Sequence, residues 1–259
     1  MISVVIVNYK SDKYLEECLK SIDNSLLDKI KIEIIIINNN DSKIILNNTY
    51  KDLDIKIIEI SKNIGYSKAI NEGVNQSKYS TIITMNPDVV VYEDTIVNMY
   101  DYFKENNNAG VLGCKVLNTN KSFQLSSRRK LPTLNVIFPY LLKFHYLGFT
   151  NNYNYMELSK DKIHLVDSVS GAFMMFSKKV YNLVDGFDER FFLYFEDTDF
   201  CLKVKNKGYN IIYYPLSKII HVKNGSRNYF NYLFIKLNLY CSFLKFIYKY
   251  NLFFINTRK

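Results

Sequence analysis

The chain has 259 residues, 48% of them hydrophobic and 23% charged, enough to bury one large core or two small ones. Four cysteines, at positions 18, 114, 201 and 241, show no CxxC and no paired spacing, which argues against a disulfide framework or a thiolate zinc site and for reduced thiols in the cytoplasm. The formal net charge of +9 suits nucleic acid, an anionic membrane surface or a phosphorylated ligand, and charge alone does not choose among them.

Residues 2–7 are the first apolar run, without the basic leader of a signal peptide, and no apolar stretch approaches the ~18 residues of a transmembrane helix. The expectation is a soluble or peripheral protein. Tyr14, Leu15, Cys18, Leu19 and Ile22 then recur at helical spacing. Residues 32–37 and 55–60 predict two more strands, Ala69, Ile70 and Val74 mark a short helix, 81–85 a fourth strand and 95–105 another helix. Alternating strand and helix predicts an α/β fold, a mostly parallel sheet covered on both faces. Such sheets bind ligands at the carboxyl ends of their strands, where Asn8, Asn38 and Asp88 fall.

Residues 118–162 are less regular. They hold the basic run Arg128-Arg129-Lys130, then Leu131-Pro132, then aromatics at Phe138, Tyr140, Phe144, Tyr146, Phe149, Tyr153 and Tyr155. Aromatic loops of this length serve as lids or as cover for an apolar sheet face. Beyond them, Glu196, Asp197 and Asp199 open an amphipathic helix in which Phe200, Cys201 and Val204 face inward while Lys203, Lys205 and Lys207 face water. Acids at a helix start cap it through the dipole. The preceding run Phe191-Phe192-Leu193-Tyr194-Phe195 instead suggests the rim of a cleft, where desolvation tunes a carboxylate for base work, and spacing leaves both open.

Asn86-Pro87-Asp88 is a turn sequence whose two polar side chains, two positions apart after a strand, point to one side. Asn38-Asn39-Asn40 suits strand termination by Asx turns. His221 follows a strand predicted at 217–220, and His145 and His164 fit no pattern.

Six stretches, ISVVIVNYKSDKYLEECLKSI, IIIINNNDSK, NIGYSKAINEGV, Asn86-Pro87-Asp88, VSGAFMMFSKKVYNLVDGFDERFFLYFEDTDFCLKVKNKGY and HVKNGS, occur in the order and spacing of one family. From residue 1 to 226 the chain resembles the family 2 glycosyltransferases of GT-A fold, in their bacterial rhamnosyltransferase-like branch. The resemblance implies a Rossmann-like three-layer α/β/α sandwich with a mixed, mostly parallel sheet. It implies a catalytic domain over 1–226, divided into a donor-binding half at 1–117 and an acceptor half at 118–226.

It further implies an inverting transferase using Mg²⁺ or Mn²⁺ and a dTDP- or UDP-sugar, with a glycan or lipid-linked saccharide as acceptor. Asp88 and His221 would hold the metal, His221 being carried over together with Gly225 and Ser226. Asn8, Tyr9, Asn38, Asn63, Gly65, Asn71, Asn86 and Asp88 would line the donor site, although the family more often has Asp where Asn38 stands. Asp197 would be the base, with Glu196 its rival, and Arg128 and Arg129 would grip the diphosphate or an anionic acceptor. A sugar-nucleotide-binding module without catalysis should lack the base or a metal ligand, and all three are present. No nucleic-acid-binding pattern appears, and a nucleotidyltransferase would need a glycine-rich phosphate loop near the first strand.

Residues 227–259 read as a separate helical tail. Arg227, Asn231, Asn238, Ser242, Lys245 and Lys249 form one polar stripe, and nearly everything else is Tyr, Phe, Leu or Ile. One face can pack on the catalytic domain. So wide an apolar arc predicts a second contact, an anionic membrane surface on the inner face of the cell membrane or a homodimer partner.

Overall fold

The computed structural model describes residues 1–25, 30–46, 50, 53–133, 136, 152–222 and 229–251. Of the residues singled out in the sequence, Phe138, Tyr140, Phe144, His145, Tyr146, Phe149, Gly225, Ser226 and Arg227 lie outside that range.

β1 (Ile2–Asn8) and β2 (Ile32–Asn38) are buried at every position, because a central parallel strand is covered on both faces and has no polar side to alternate with. They pair in register from Ile2 with Ile32 to Asn8 with Asn38. β3 (Asp54–Glu59) extends the sheet beyond β2, and β4 (Thr81–Met85) lies on the other side of β1, all parallel. α1 (Asp12–Asp23) buries Leu15, Cys18, Leu19 and Ile22 against Val4 and Ile6, while α2 (Tyr66–Asn75) buries Ala69, Ile70 and Val74 against Val5 and Val7. Alternate residues of β1 therefore feed two separate cores.

β5 (Val89–Val91) and α3 (Thr95–Glu105) lead into β6 (Ala109–Leu117), and β7 (Arg128–Arg129) pairs with β9 (Ser168–Val169) in a small second sheet. After β8 (His164–Leu165), β10 (Phe173–Ser177) enters antiparallel between β4 and β6, followed by α4 (Lys178–Leu183) and α5 (Glu196–Asn206). β11 (Asn210–His221) runs parallel to β6, with β5 and β8 antiparallel to it. The order is β3-β2-β1-β4-β10-β6-β11-β5 with β8 on β11, the expected mixed α/β/α arrangement. Strands from both halves of the chain share this sheet.

β11 is three times the length the sequence suggests, because Pro215 lies in its middle. The register with β6 shifts between Tyr214 and Lys218, so the strand passes the missing N–H donor as a bulge and resumes. Lys203 also departs from expectation. It turns from water to donate to the carbonyls of Val184 (2.9 Å) and Gly186, closing the loop that α4 leaves open.

The tail is α6 (Tyr229–Lys249). Its inner face packs Phe246 and Ile247 on Phe191 and Phe195, with Leu239, Phe243 and Tyr250 around them. Part of the polar stripe is turned inward too. Ser242 donates to the Leu193 carbonyl (2.8 Å), and Lys249 donates to Asp188 (2.7 Å) and Asp199 (2.5 Å), the latter also accepting from the Tyr250 hydroxyl (2.7 Å).

Asp199 is fully buried, so Lys249 neutralises a carboxylate that water cannot reach. Lys249→Met should cost about 3–5 kcal/mol, the penalty of stranding a buried charge, which at ~2–4 °C per kcal/mol lowers the melting temperature by about 10 °C. Differential scanning fluorimetry checks this. Adding Asp199→Asn should recover part of the loss, and an unchanged midpoint in Lys249→Met would refute the clamp.

Candidate active site

A cavity of about 520 Å³ opens at the carboxyl ends of β1 and β4. Its floor is the turn Asn86-Pro87-Asp88, which joins β4 to β5. The Asn86 N–H donates to the Ala172 carbonyl (3.0 Å), and the Val222 N–H donates to the Asp88 carbonyl (3.0 Å). Antiparallel pairing sets Val89 opposite His221. The result brings His221 Nε2 to 3.2 Å from Asp88 Oδ1, with the Asn86 amide 3.5 Å from the same nitrogen. His221 Nδ1 is buried without a hydrogen-bond partner among the described residues.

The acid pair forms the opposite wall. Tyr194 and Phe195 both adopt positive φ, 69° and 67°, a sharp turn that starts α5 directly with Glu196. Asp197 is surrounded by donors. Its Oδ2 accepts from Arg129 (2.6 Å) and the Gly171 N–H (2.8 Å), and its Oδ1 accepts from the N–H (2.7 Å) and hydroxyl (3.3 Å) of Thr198. Arg129 is itself held by the Val169 carbonyl (2.8 Å). Burial alone would lower its pKa, yet the Asp197 charge outweighs that and keeps the guanidinium charged. Glu196 differs. It is buried, its Oε2 has no hydrogen-bond partner among the described residues, and burial, then the neighbouring Asp197 charge, pushes its carboxyl up to about 8.

A third wall is made by Tyr9, Ser11, Asn39, Asn63 and Tyr66. Asn39 and Asn63 brace each other, the Asn39 amide donating to Asn63 (3.0 Å) and its carbonyl accepting the Ile64 N–H (2.9 Å). The Tyr66 hydroxyl donates to Asn86 (3.2 Å), and burial, together with the charges of Glu196, Asp197 and Asp88, holds that phenol in its neutral form. Phe192, Leu193 and Tyr194 complete the rim with Phe234 and Ile235 of α6.

Of the site residues expected from the sequence, the cavity wall thus gathers Tyr9, Asn63, Asn86, Asp88, Arg129, Glu196, Asp197 and His221. Five others stand behind it. Asn8 is buried and donates to Asp12 (2.5 Å), and Asn38 donates to Glu59 (2.5 Å) and the Ser42 carbonyl (2.6 Å). Gly65, at φ 88°, passes so close to Phe192 that a Cβ would meet its ring at 2.8 Å. Asn71 clamps the loop after α4, donating to the Phe187 carbonyl (2.8 Å) and accepting from the Phe187 N–H (2.9 Å). Arg128 is buried on the far side of β7. Its guanidinium lies 4.7 Å from the Tyr213 ring centre and donates to the carbonyls of Ser159 and Leu158, both at 2.6 Å.

Asn39, Tyr66 and Gly171 were not assigned to the site from the sequence, although each lies in a stretch that carries the family resemblance. Asn39 and Tyr66 each adjoin a residue that was assigned, whereas the role of Gly171, its N–H on Asp197, is set by tertiary packing.

Residues 3–184 match the family described as Glycosyl transferase family 2. The chain is 25% identical over 248 residues to the rhamnosyltransferase WbbL of Escherichia coli K12, covering 90% of this chain and 88% of that protein. It is 24% identical over 244 residues to an N-acetylglucosaminyl-diphospho-decaprenol L-rhamnosyltransferase of Mycobacterium tuberculosis, covering 87% and 77%. Among solved structures it resembles the mannosyltransferase PcManGT of Pyrobaculum calidifontis, solved with GDP-Man and Mn²⁺, with a TM-score of 0.60, 15% identity, and coverage of 89% of this chain and 59% of that one. The chain belongs to glycosyl transferase family 2, and its fold is that of the GT-A enzymes. Glu196, Asp197 and His221 lie beyond the matched segment.

The Glu196 carboxyl generates a pH dependence with a definite sign. Its folded pKa of about 8 lies above the 4.5 of an unburied glutamate, so the native state holds more protons than the unfolded state between those values and stability falls as pH rises. Glu196→Gln should remove that slope. Melting temperatures of the two proteins from pH 5 to pH 9 should diverge in favour of the variant at the alkaline end, and parallel curves would contradict the assignment.

Proposed function

We propose that the protein transfers a sugar, a rhamnose-like deoxyhexose or a hexose, from a dTDP- or UDP-linked donor to a hydroxyl of a growing cell-surface glycan or a lipid-linked saccharide, with inversion. The observation that carries this reading is the pairing of Asp88 with His221 on one wall of a cavity whose other wall holds Glu196 and Asp197. The first pair suits a phosphate-bound cation, and the second suits a reacting hydroxyl.

A carboxylate oxygen and an imidazole nitrogen 3.2 Å apart fit one divalent ion, since neighbouring ligands bonded at ~2.1 Å around an octahedron stand about 3 Å apart. Two protein ligands leave the remaining positions to phosphate oxygens and water, the usual habit of Mg²⁺, and Mn²⁺ shares the same oxygen-rich preference. Bound there, such an ion supplies positive charge opposite a departing nucleoside diphosphate. The Asn86 amide and the Tyr66 hydroxyl hold the floor in place. Asn39 and Asn63 offer amide edges to a uracil or thymine base, being able both to donate and to accept.

Asp197 is the base in this reading and Glu196 its neutral neighbour. Arg129 balances the Asp197 charge, and Gly171 and Thr198 fix the carboxylate at the cavity wall, where an acceptor hydroxyl would stand. Glu196, whose carboxyl burial and then the Asp197 charge push up to about 8, keeps its proton more readily than an ordinary glutamate. The support from relatives lies in their names: a rhamnosyltransferase, one acting on a diphospho-decaprenol-linked sugar, and a fold neighbour bound to a nucleotide sugar with Mn²⁺. An acceptor on a lipid places the protein at the inner face of the cell membrane.

A thermal-shift panel of UDP-, dTDP- and GDP-sugars with and without Mn²⁺ tests the donor. Stabilisation by at least one sugar nucleotide, raised by Mn²⁺ and losing that increment in Asp88→Asn and His221→Ala, is the expected result; silence from every donor would sink the reading. Once a donor is known, Asp197→Asn should lower kcat by about 10²–10⁴, the usual share of a general base. Glu196→Gln should lose far less, and the reverse order would transfer the role to Glu196.

A further inference from the structure

We propose that the outer face of α6 docks on an anionic lipid bilayer, with the mouth of the catalytic cavity at the bilayer surface. The consequence for catalysis rests on the function proposed above; the docking does not.

Leu233, Leu237, Tyr240, Leu244 and Tyr248 follow one another at helical spacing and stand 49–79% exposed, a stripe about 22 Å long at 1.5 Å per residue. Large apolar side chains scattered singly on a surface need no explanation, but a continuous stripe of five does. Nor is the helix loosely placed, since its inner face is pinned by Phe246, Ser242 and Lys249. Among the described residues no helix is long and apolar enough to cross a membrane, so this one would lie in the interface plane.

Charge selects the occupant. The helix contains no Asp or Glu, and the carboxylates nearest it, Asp188 and Asp199, are turned inward onto Lys249. Toward the C-terminal end of the stripe, a hollow of about 330 Å³ is bounded by Arg190, Lys245 and Lys249. Arg190 is paired with Asp188 yet remains 67% exposed, while Lys245 donates to the Arg190 carbonyl (2.8 Å) rather than to a carboxylate. An apolar stripe edged by cations is complementary to hydrocarbon beneath anionic headgroups. A second copy packed with its helix parallel would set the same cations near one another.

The opposite end of the stripe meets the cavity. Phe234 and Ile235 line its wall, and Phe234 packs edge-on against Phe192 with ring centres 6.1 Å apart. Docking along α6 therefore brings the acceptor side of the cavity to the level where the head of a lipid-linked saccharide sits.

Cys241 gives a native reporter, being exposed on this helix while Cys18, Cys114 and Cys201 are buried. The full chain, labelled at Cys241 with a polarity-sensitive fluorophore, would be mixed with vesicles of phosphatidylcholine alone or with phosphatidylglycerol. Expected are a blue shift and co-flotation with the anionic vesicles, weakened by salt. Leu237→Glu/Leu244→Glu should weaken binding at least tenfold at an unchanged melting temperature, and Lys245→Glu by a smaller factor. No blue shift overturns the proposal. So does unaltered flotation of the double variant, or a dimer by light scattering that the double variant dissolves. Thermal shifts with sugar nucleotides on the same samples keep the two readings apart: donor binding without flotation refutes docking alone, and flotation without donor binding refutes the transfer reaction alone.

Discussion

Four carboxylates, Asp188, Glu196, Asp197 and Asp199, are gathered around the first turn of α5, three of them buried, and the structure depends on how that negative charge is balanced. The orphan N–H groups of the helix start take some of it. The rest comes from far along the chain, Arg129 from β7 for Asp197 and Lys249 from α6 for Asp199 and Asp188. Both cations come from elements outside α5. The small sheet of β7 and β9 holds Arg129 in position, and the clamp on α5 is made at the last residue of α6. Glu196 has no ion-pair partner of its own among the described residues, and burial, then the Asp197 charge, raises its pKa.

The other wall answers a different constraint, that a carboxylate and a histidine distant in the chain must meet at hydrogen-bonding range. Sheet pairing does most of this. β5 is only three residues long, yet its antiparallel register with the end of β11 sets His221 beside Asp88, and main-chain bonds from Asn86 and Val222 lock both ends. Because β10 enters between β4 and β6, the Gly171 N–H arrives at Asp197 from the same strand junction that receives the Asn86 N–H. The two walls are thus joined through residues 170–172.

What was legible in the sequence follows from which forces are local. The isoleucine-rich strands and the helices of the first half announce themselves by periodicity, and the acids of α5 by their place before an apolar face. β10, Phe-Met-Met-Phe-Ser, carries no alternation because both its faces are buried, and Pro215 hid most of β11. Arg128 and Arg129 looked equivalent as neighbours in a basic run. In a strand, adjacent side chains point to opposite faces, so one guanidinium enters the core on Tyr213 and the other enters the site, and only the register of β7 on β9 decides which. The same applies to Asn38 and Asn39, where the last residue of β2 turns inward and the next reaches the cavity.

The tail's relation to catalysis was the least legible part, because it depends on strain. Non-glycine residues in the left-handed region cost about 1–2 kcal/mol each, and Tyr194 and Phe195 occupy it in succession. Such a turn persists only where its surroundings over-determine it. The surroundings here belong to α6: Phe195 packs on Phe243 and Phe246 with ring centres 5.8 and 5.5 Å away, and Ser242 bonds the Leu193 carbonyl just before the turn. Relaxing those two residues to ordinary dihedrals would redirect the start of α5 and carry Glu196 and Asp197 away from the cavity. Contacts with α6 are therefore among those that hold the acid pair where a reacting hydroxyl could meet it, and the tail is better counted as a wall of the site than as an appendage to it.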